Sequence, residues 1–250
     1  MIHLKTDAEI EIMKQSGAIL RKSVEELMPQ VVEGMTTMEL DQLAEKLIRK
    51  NGGEPSFNKV PGYSWTTCVP VNEQIVHTPP SDRVLKKGDV LTVDIGAYFK
   101  GFHSDYATTV VIGGVTDPKV KKFLEVGQKT LDLAIAAAKN GHYIGEISAV
   151  IEREVRGNGY YILKQLTGHG IGRELHEDPF VPGFLDRPIE QTYKMRPGLV
   201  IAVEIIYSMG SDKMKYESED EWSIITADRS LAACFEKTIA ITDKNTCILT

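Results

Sequence analysis

Leu91-Thr92-Val93-Asp94-Ile95-Gly96 and His103-Ser104-Asp105-Tyr106-Ala107 lie within two strand-like runs, Val90–Phe99 and Phe102–Ile112, separated by Lys100-Gly101. Both alternate as half-buried strands do, and Lys-Gly suits a two-residue hairpin turn. In such a hairpin, residues with an odd index sum share a face. Asp94 and Asp105 therefore point the same way, either opposed or one pair apart. Carboxylates so placed repel, and the cost grows as the face is buried.

The same conflict recurs downstream. Gly198-Leu-Val-Ile-Ala-Val-Glu204-Ile-Ile-Tyr207 sets one acid inside an apolar strand, and Glu236 sits similarly within Ala232–Ile241. A buried carboxylate persists if it is protonated, paired with a cation or bound to metal. An isolated acid is more simply explained as a solvated strand end. Four acids on predicted strands, two of them related by an internal repeat, favour a shared site.

That repeat runs through the chain. An offset of 107 takes Gly34 to Gly141, Glu39 to Glu146, Asn51 to Asn158 and Gly52 to Gly159. An offset of 110 takes Gly88 to Gly198, Val93 to Val203 and Asp94 to Glu204. Each unit opens with two helices. Thr6 with Glu9 and Thr36 with Glu39 form capping-box patterns ahead of apolar stripes, the second ending at Asn51-Gly52-Gly53. Asp117-Pro118 opens a third helix reaching Lys139, and Glu146–Arg156 reads as a fourth. Strands are expected at Thr67–Val71, Leu199–Tyr207 and Ser223–Thr226 as well. The expectation is one α/β (α+β) domain over 1–250, with halves of about 1–113 and 114–250. Their strands would join in a mainly antiparallel, curved sheet with helices behind, and matching acids would meet at the junction.

Composition narrows the class. With 42% hydrophobic and 26% charged residues the 250-residue chain is ordinary for a globular protein. Lys and Arg number 29 against 35 acids, a net charge of −6 that disfavours DNA as a partner. Cys68, Cys234 and Cys247 are an odd set without close spacing, which suits a reducing interior. The start lacks a signal peptide's apolar stretch, and no run approaches the ~18 apolar residues of a membrane span. A cytoplasmic protein without a membrane partner is expected.

Three histidines are candidates beside the acids: His169 in Thr-Gly-His-Gly-Ile-Gly-Arg, His176 in Leu-His-Glu-Asp-Pro, and His77 at the end of a strand-like run. Glycines around His169 let backbone approach a ligand closely. Each histidine alone is more often a packed or surface residue. Four carboxylates carry −4, which two divalent ions neutralise and one does not. An oxygen-rich set with one imidazole suits Mn(II), Fe(II) or Co(II) better than a thiolate zinc site. A dinuclear centre supplies hydroxide near neutral pH and stabilises an oxyanion, which is hydrolase chemistry.

Val93-Asp-Ile-Gly96, the aspartate eleven residues later, Gly168-His-Gly-Ile-Gly-Arg173, His176-Glu-Asp-Pro179, Val203-Glu204 and Phe235-Glu-Lys-Thr238 stand in one order. In that order they resemble the type I methionine aminopeptidases of the pita-bread fold family, over essentially the whole chain. The resemblance implies that Asp94, Asp105, His169, Glu204 and Glu236 bind the metals, with Asp105 and Glu236 bridging. It implies that Glu204 is also the general base. His77 and His176 would contact the scissile peptide and stabilise the tetrahedral intermediate, and Tyr63, Cys68 and Trp222 would line the methionine pocket. The implied substrates are N-terminal peptides of nascent proteins with a small second residue, taken by a monomer with the ribosome as a candidate partner. The chain's own second residue, Ile2, is bulky, so Met1 would be kept. Phe57, Val60, Leu175 and Ile205 depart from the family pattern, which bears on the shape of the pocket. A proline-directed peptidase of the same fold is the rival enzyme. A non-catalytic pita-bread protein that binds peptides is the rival of another class.

Overall fold

The structure, a computed structural model, describes residues 2–217 and 222–250. Met1, and with it the expectation that this methionine is kept, lies outside the described residues. Helix α1 (Asp7–Leu27) begins at a complete capping box: the Thr6 hydroxyl accepts the Glu9 N–H, and Glu9 returns to the Thr6 N–H at 2.9 Å. Its buried residues Ile10, Met13, Gly17, Leu20, Val24 and Leu27 recur every three or four positions, one continuous stripe. Burying each of the larger ones contributes about 1.5–3 kcal/mol. Helix α2 (Thr37–Lys50) has the same box at Thr36 and Glu39. It stops where Gly52 takes φ +94°, a left-handed turn that glycine adopts without a steric penalty.

Strands follow as β1 (Glu54–Pro55), β2 (Thr67–Cys68), β3 (Gln74–Val76) and the long hairpin β4 (Val90–Phe99) and β5 (Phe102–Val111). The expected strand Thr67–Val71 is shorter than the sequence suggests. Pro70 brings no N–H to a ladder, and beyond it only Val71 pairs, with Leu91. Helix α3 (Pro118–Ala137) is capped by Asp117. Helix α4 (Ile144–Gly157) begins two residues before Glu146, whose carboxylate accepts the Tyr143 N–H at 3.0 Å. Then come β6 (Tyr161–Ile162), β7 (Thr167–Gly170), β8 (Glu177–Pro182), β9 (Val200–Ser208), β10 (Met214–Tyr216), β11 (Ile224–Thr226), β12 (Ala232–Ile241) and β13 (Thr246–Ile248). Strands β7 and β8 have no counterpart among the sequence expectations.

The main sheet runs β1-β4-β5-β12-β9-β7-β8, with β2 on β4, β6 on β9 and β13 on β12. Every one of these pairings is antiparallel, and the sheet is not closed. A separate sheet, β10-β11-β3, stands apart. Helices α1 and α2 bury Leu20, Leu40 and Ile48 against Leu91, Val93 and Ile95 of β4. Helices α3 and α4 bury Phe123, Leu131 and Ile147 against Val203, Ile205 and Phe235 of β9 and β12. The fold is α/β with a mainly antiparallel sheet and helices behind. We read it as one domain with halves of about 1–113 and 114–250, a division supported by two correspondences. Gly52 and Gly159 follow α2 and α4 at φ +94° and +81°, and Gly88 and Gly198 precede β4 and β9 at φ +92° and +91°. No helix among the described residues is long and apolar enough to cross a membrane.

Candidate metal centre

Strand register brings the acids together. Asp94 pairs with Ala107, Ala107 with Glu236, and Glu236 with Glu204, so one row crosses β4, β5, β12 and β9. Two residues along each strand, Gly96 pairs with Asp105, Thr238 with Ala202, and Ala202 with His169. Thr238 links Asp105 into this second row, since its hydroxyl accepts the Asp105 N–H at 3.0 Å and donates to the Asp105 carbonyl at 2.9 Å. A spacing of two keeps both rows on one face. Asp94 and Asp105 are thus one pair apart, the second of the two arrangements the hairpin allowed. Gly96 lets Ser56 and Phe57 pack over the sheet beside Asp94, since a Cβ there would lie 2.7 Å from Ser56 Cβ and 2.8 Å from Phe57 Cε1.

One donor atom from each of Asp105, His169 and Glu236 lies within 4.8 Å of the other two, an arrangement able to hold a metal ion. Glu204 Oε1 stands 3.4 Å from His169 Nε2. The His169 Nδ1–H donates to the Gly170 carbonyl at 2.8 Å, which leaves Nε2 as a lone pair facing the acids. Neighbouring glycines are required here. A Cβ on Gly168 would lie 2.4 Å from the Ala202 carbonyl oxygen, and one on Gly170 would lie 2.2 Å from that of Asp178.

Among the described residues, no lysine or arginine pairs with these four carboxylates. The consequence is electrostatic. Burial, then Asp105 and Glu204, hold the Asp94 carboxyl well above its ordinary range. Burial, then Asp105, does the same to Glu204, and burial with all three neighbours does so to Glu236. Burial pushes Asp105 up to about 7, against the 2.9 Å hydrogen bond from the Tyr106 N–H. His169 is pushed down to about 3, first by burial and then by His176. Asp94 Oδ1 and Glu236 Oε1 are buried with no hydrogen-bond partner. Raised acids, a neutral imidazole and orphaned oxygens together describe a place short of positive charge. The donor set fits hard or borderline divalent cations.

The four acids and His169 form the floor of a cavity of about 310 Å³ lined by all ten residues singled out from the sequence. Cys68 pairs with Asp94 across β2 and β4. Burial, then the Asp94 charge, hold its thiol up, so it presents a neutral wall. Tyr63 donates to the Thr67 carbonyl at 2.7 Å and meets Trp222 edge-on at 5.0 Å. Phe57, Val60 and Leu175 line the same cavity, whereas Ile205 alternates away into the core beneath α3. His77 follows β3 at φ +58°, a left-handed conformation costing on the order of 1–3 kcal/mol for a residue with a side chain. His176 stacks edge-on against His169 at 4.4 Å. Both His77 and His176 are reachable from solvent through the mouth, yet the concave wall strips water from the rings. Burial, then His176, pushes His77 down to about 4, and burial lowers His176. Both rings are neutral at pH 7. Gln165, Leu166, Thr167 and Phe180 also line the cavity, Phe180 with 67% of its surface exposed at the rim. No periodicity distinguishes them; the nearest signal is their position around Gly-His-Gly and His-Glu-Asp-Pro.

A cavity with a carboxylate floor, an aromatic and sulfur wall and two neutral imidazoles at the rim can bind a cation and an apolar side chain together. Comparison with known proteins gives the family. The model of metallopeptidase family M24 matches residues 11–243. "Methionine aminopeptidase 1" of Bacillus subtilis is 40% identical over all of this chain and 99% of its own length. The methionine aminopeptidase of Clostridium perfringens is 38% identical with the same coverage. The crystal structure of methionine aminopeptidase from Thermotoga maritima superposes with a TM-score of 0.95 at 36% identity, over 100% of this chain and 99% of that one. The prolidase of Pyrococcus furiosus reaches 0.79 at 25% identity, over 99% of this chain but 65% of its own. Matched over 11–243 by the family model and over its full length by these relatives, the chain belongs to metallopeptidase family M24, among its methionine aminopeptidases.

Proposed function

We propose that this methionine-releasing metalloaminopeptidase acts on N-terminal peptides of nascent proteins whose second residue is small, using two divalent ions. The observation that carries the reading is the floor itself: Asp105 and Glu236 buried, Asp94 and Glu204 half-buried, no lysine or arginine paired with them among the described residues, and one imidazole fixed with Nε2 toward the acids. Asp94, Asp105, His169, Glu204 and Glu236 would hold the ions, with Asp105 and Glu236 shared between them. Two divalent ions balance four negative charges, and the oxygen-rich set suits Co(II), Mn(II) or Fe(II). When bound, such ions make water acidic near neutral pH and stabilise developing negative charge.

The chain's own groups do the rest. Glu204 takes the proton from the attacking water and delivers it to the departing amine as general base and acid. His77 and His176, neutral at pH 7, each offer an N–H to the scissile peptide and its tetrahedral intermediate. Tyr63, Cys68 and Trp222 wall the methionine side chain, whose flexible thioether suits an aromatic and sulfur-bearing surface. A second residue with a large or β-branched side chain meets the crowded rim and cannot swing aside. This reading places the enzyme in the cytoplasm as a monomer, with the ribosome as a partner to test.

Metal analysis of protein purified without added metal, joined to mass spectrometry of cleaved peptides, tests it. Two equivalents of metal are expected, with rapid cleavage of Met-Gly and Met-Ala and ~10–200-fold slower cleavage of Met-Ile. Equal rates on Met-Ala and Met-Ile would reject the small-residue rule. Full activity with one equivalent would reject the two-ion centre. Preferential release of residues preceding proline would favour the prolidase-like alternative.

A further inference from the structure

The turn that carries Leu175 and His176 to the cavity is fastened from the far end of the sequence. Lys5, in the segment before α1, places Nζ 2.5 Å from Glu177 Oε2, with the two side chains 5% and 8% exposed. The other oxygen of Glu177 accepts the backbone N–H groups of Arg173 at 2.8 Å and Glu174 at 3.2 Å. One carboxylate therefore closes the turn on itself and ties it to Lys5. Glu9, at the start of α1, adds a second tie to Arg173 at 2.9 Å on the solvent side.

The path of Lys5 is cleared by two glycines. A Cβ on Gly172 would lie 2.3 Å from Lys5 Cε, and one on Gly198 would lie 2.6 Å from the Lys5 carbonyl oxygen. Gly198 also accepts the Lys5 N–H at 2.7 Å, and Gly172 accepts the His103 N–H at 2.8 Å. The segment is thus threaded between the turn and the entrance to β9. A buried ion pair between such distant residues adds little net stability, since desolvation offsets its attraction. It does fix geometry, because removing either partner leaves the other charge buried and alone.

We infer that Lys5 and Glu177 are positioning residues that hold His176 at the rim of the cavity. The inference rests on the reading that His176 acts on the scissile peptide. A misplacement of 1 Å in a reacting group can cost ~100-fold in rate, so loosening the turn without removing the imidazole should cost on the order of tenfold.

The test is a double-substitution cycle on the full-length, metal-loaded enzyme with a Met-Ala peptide. Lys5→Met should lower kcat/KM about tenfold, mostly in kcat, with two equivalents of metal retained. In a His176→Ala background it should lower kcat/KM no further, because the group it positions is gone. Glu177→Gln keeps an oxygen for the two backbone N–H groups but loses the charge, and should repeat both results. It stands in if Lys5→Met fails to fold. Wild-type kcat/KM in both variants would overturn the inference, as would an equal loss in both backgrounds, which a merely structural role predicts. If His176→Ala alone retains full activity, the role of His176 falls and the inference with it.

Discussion

Asp94, Asp105, Glu204, Glu236 and His169 stand on five hydrogen-bonded strands of one sheet, whereas His77 follows β3 of the separate sheet and His176 lies in the turn between β7 and β8. On the floor, every strand that carries one of these residues has a hydrogen-bonded neighbour on both sides, and Thr238 stitches Asp105 to β12. At the rim, His77 is aimed by a left-handed backbone conformation, and His176 by a turn gathered around Glu177. The contrast is physical. Crowded like charges would drive apart any element that could move, so they require the stiffest part of the fold. Groups that must let a peptide in and out belong where opening costs less.

Asp105→Asn strikes that contrast hardest. An amide cannot carry the charge that balances the ions, so activity should fall by more than the ~10³-fold typical of one lost electrostatic donor, and metal content should drop below two equivalents. Full activity with two tightly held ions would break the assignment of the floor. Glu204→Gln should lose ~10²–10⁴-fold in kcat as the general base disappears, and unchanged kcat in metal-replete protein would move the proton shuttle elsewhere.

At the rim, His77→Ala and His176→Ala should each cost ~10²–10³-fold in kcat/KM while keeping both ions. Loss of stoichiometric metal from either would make that histidine part of the floor. The last effect is read in metal binding rather than in rate, as proton linkage. A metal ion displaces the proton from a carboxyl, and burial holds Asp105 at about 7 with Asp94, Glu204 and Glu236 also raised. Metal affinity should therefore fall as pH drops below 7, by about tenfold per pH unit for each proton displaced. His169, held at about 3, stays neutral across that window and adds nothing to the slope. Calorimetric titration from pH 7 to pH 5 measures this, and a flat affinity would show that the floor is already ionised without metal.

Much of the floor is legible because strand periodicity is local. Val90–Phe99 and Ala232–Ile241 read as strands from their own residues, and Lys100-Gly101, with φ of +48° and +89°, fixes the hairpin that aligns Asp94 with Asp105. The rim is less so. Pro70 hides how short β2 is, and the glycines around His169 conceal strand β7 because they carry no apolar pattern. Phe180, exposed on the sheet's edge strand, looks like any surface residue. Lys5 and Glu177 are 172 positions apart, and nothing near either of them announces the other.

By itself the sequence determined that four acids occupy apolar strands, that capping boxes open α1 and α2, and that a histidine lies among glycines. Only the tertiary structure decided that Asp94, Glu236 and Glu204 share one row while Asp105 and His169 share the next. Register across β5–β12 and β12–β9 joins segments that are distant in sequence. It is set by which apolar faces α1 through α4 bury, and a slip of one residue would turn every acid on the slipped strand to the opposite face.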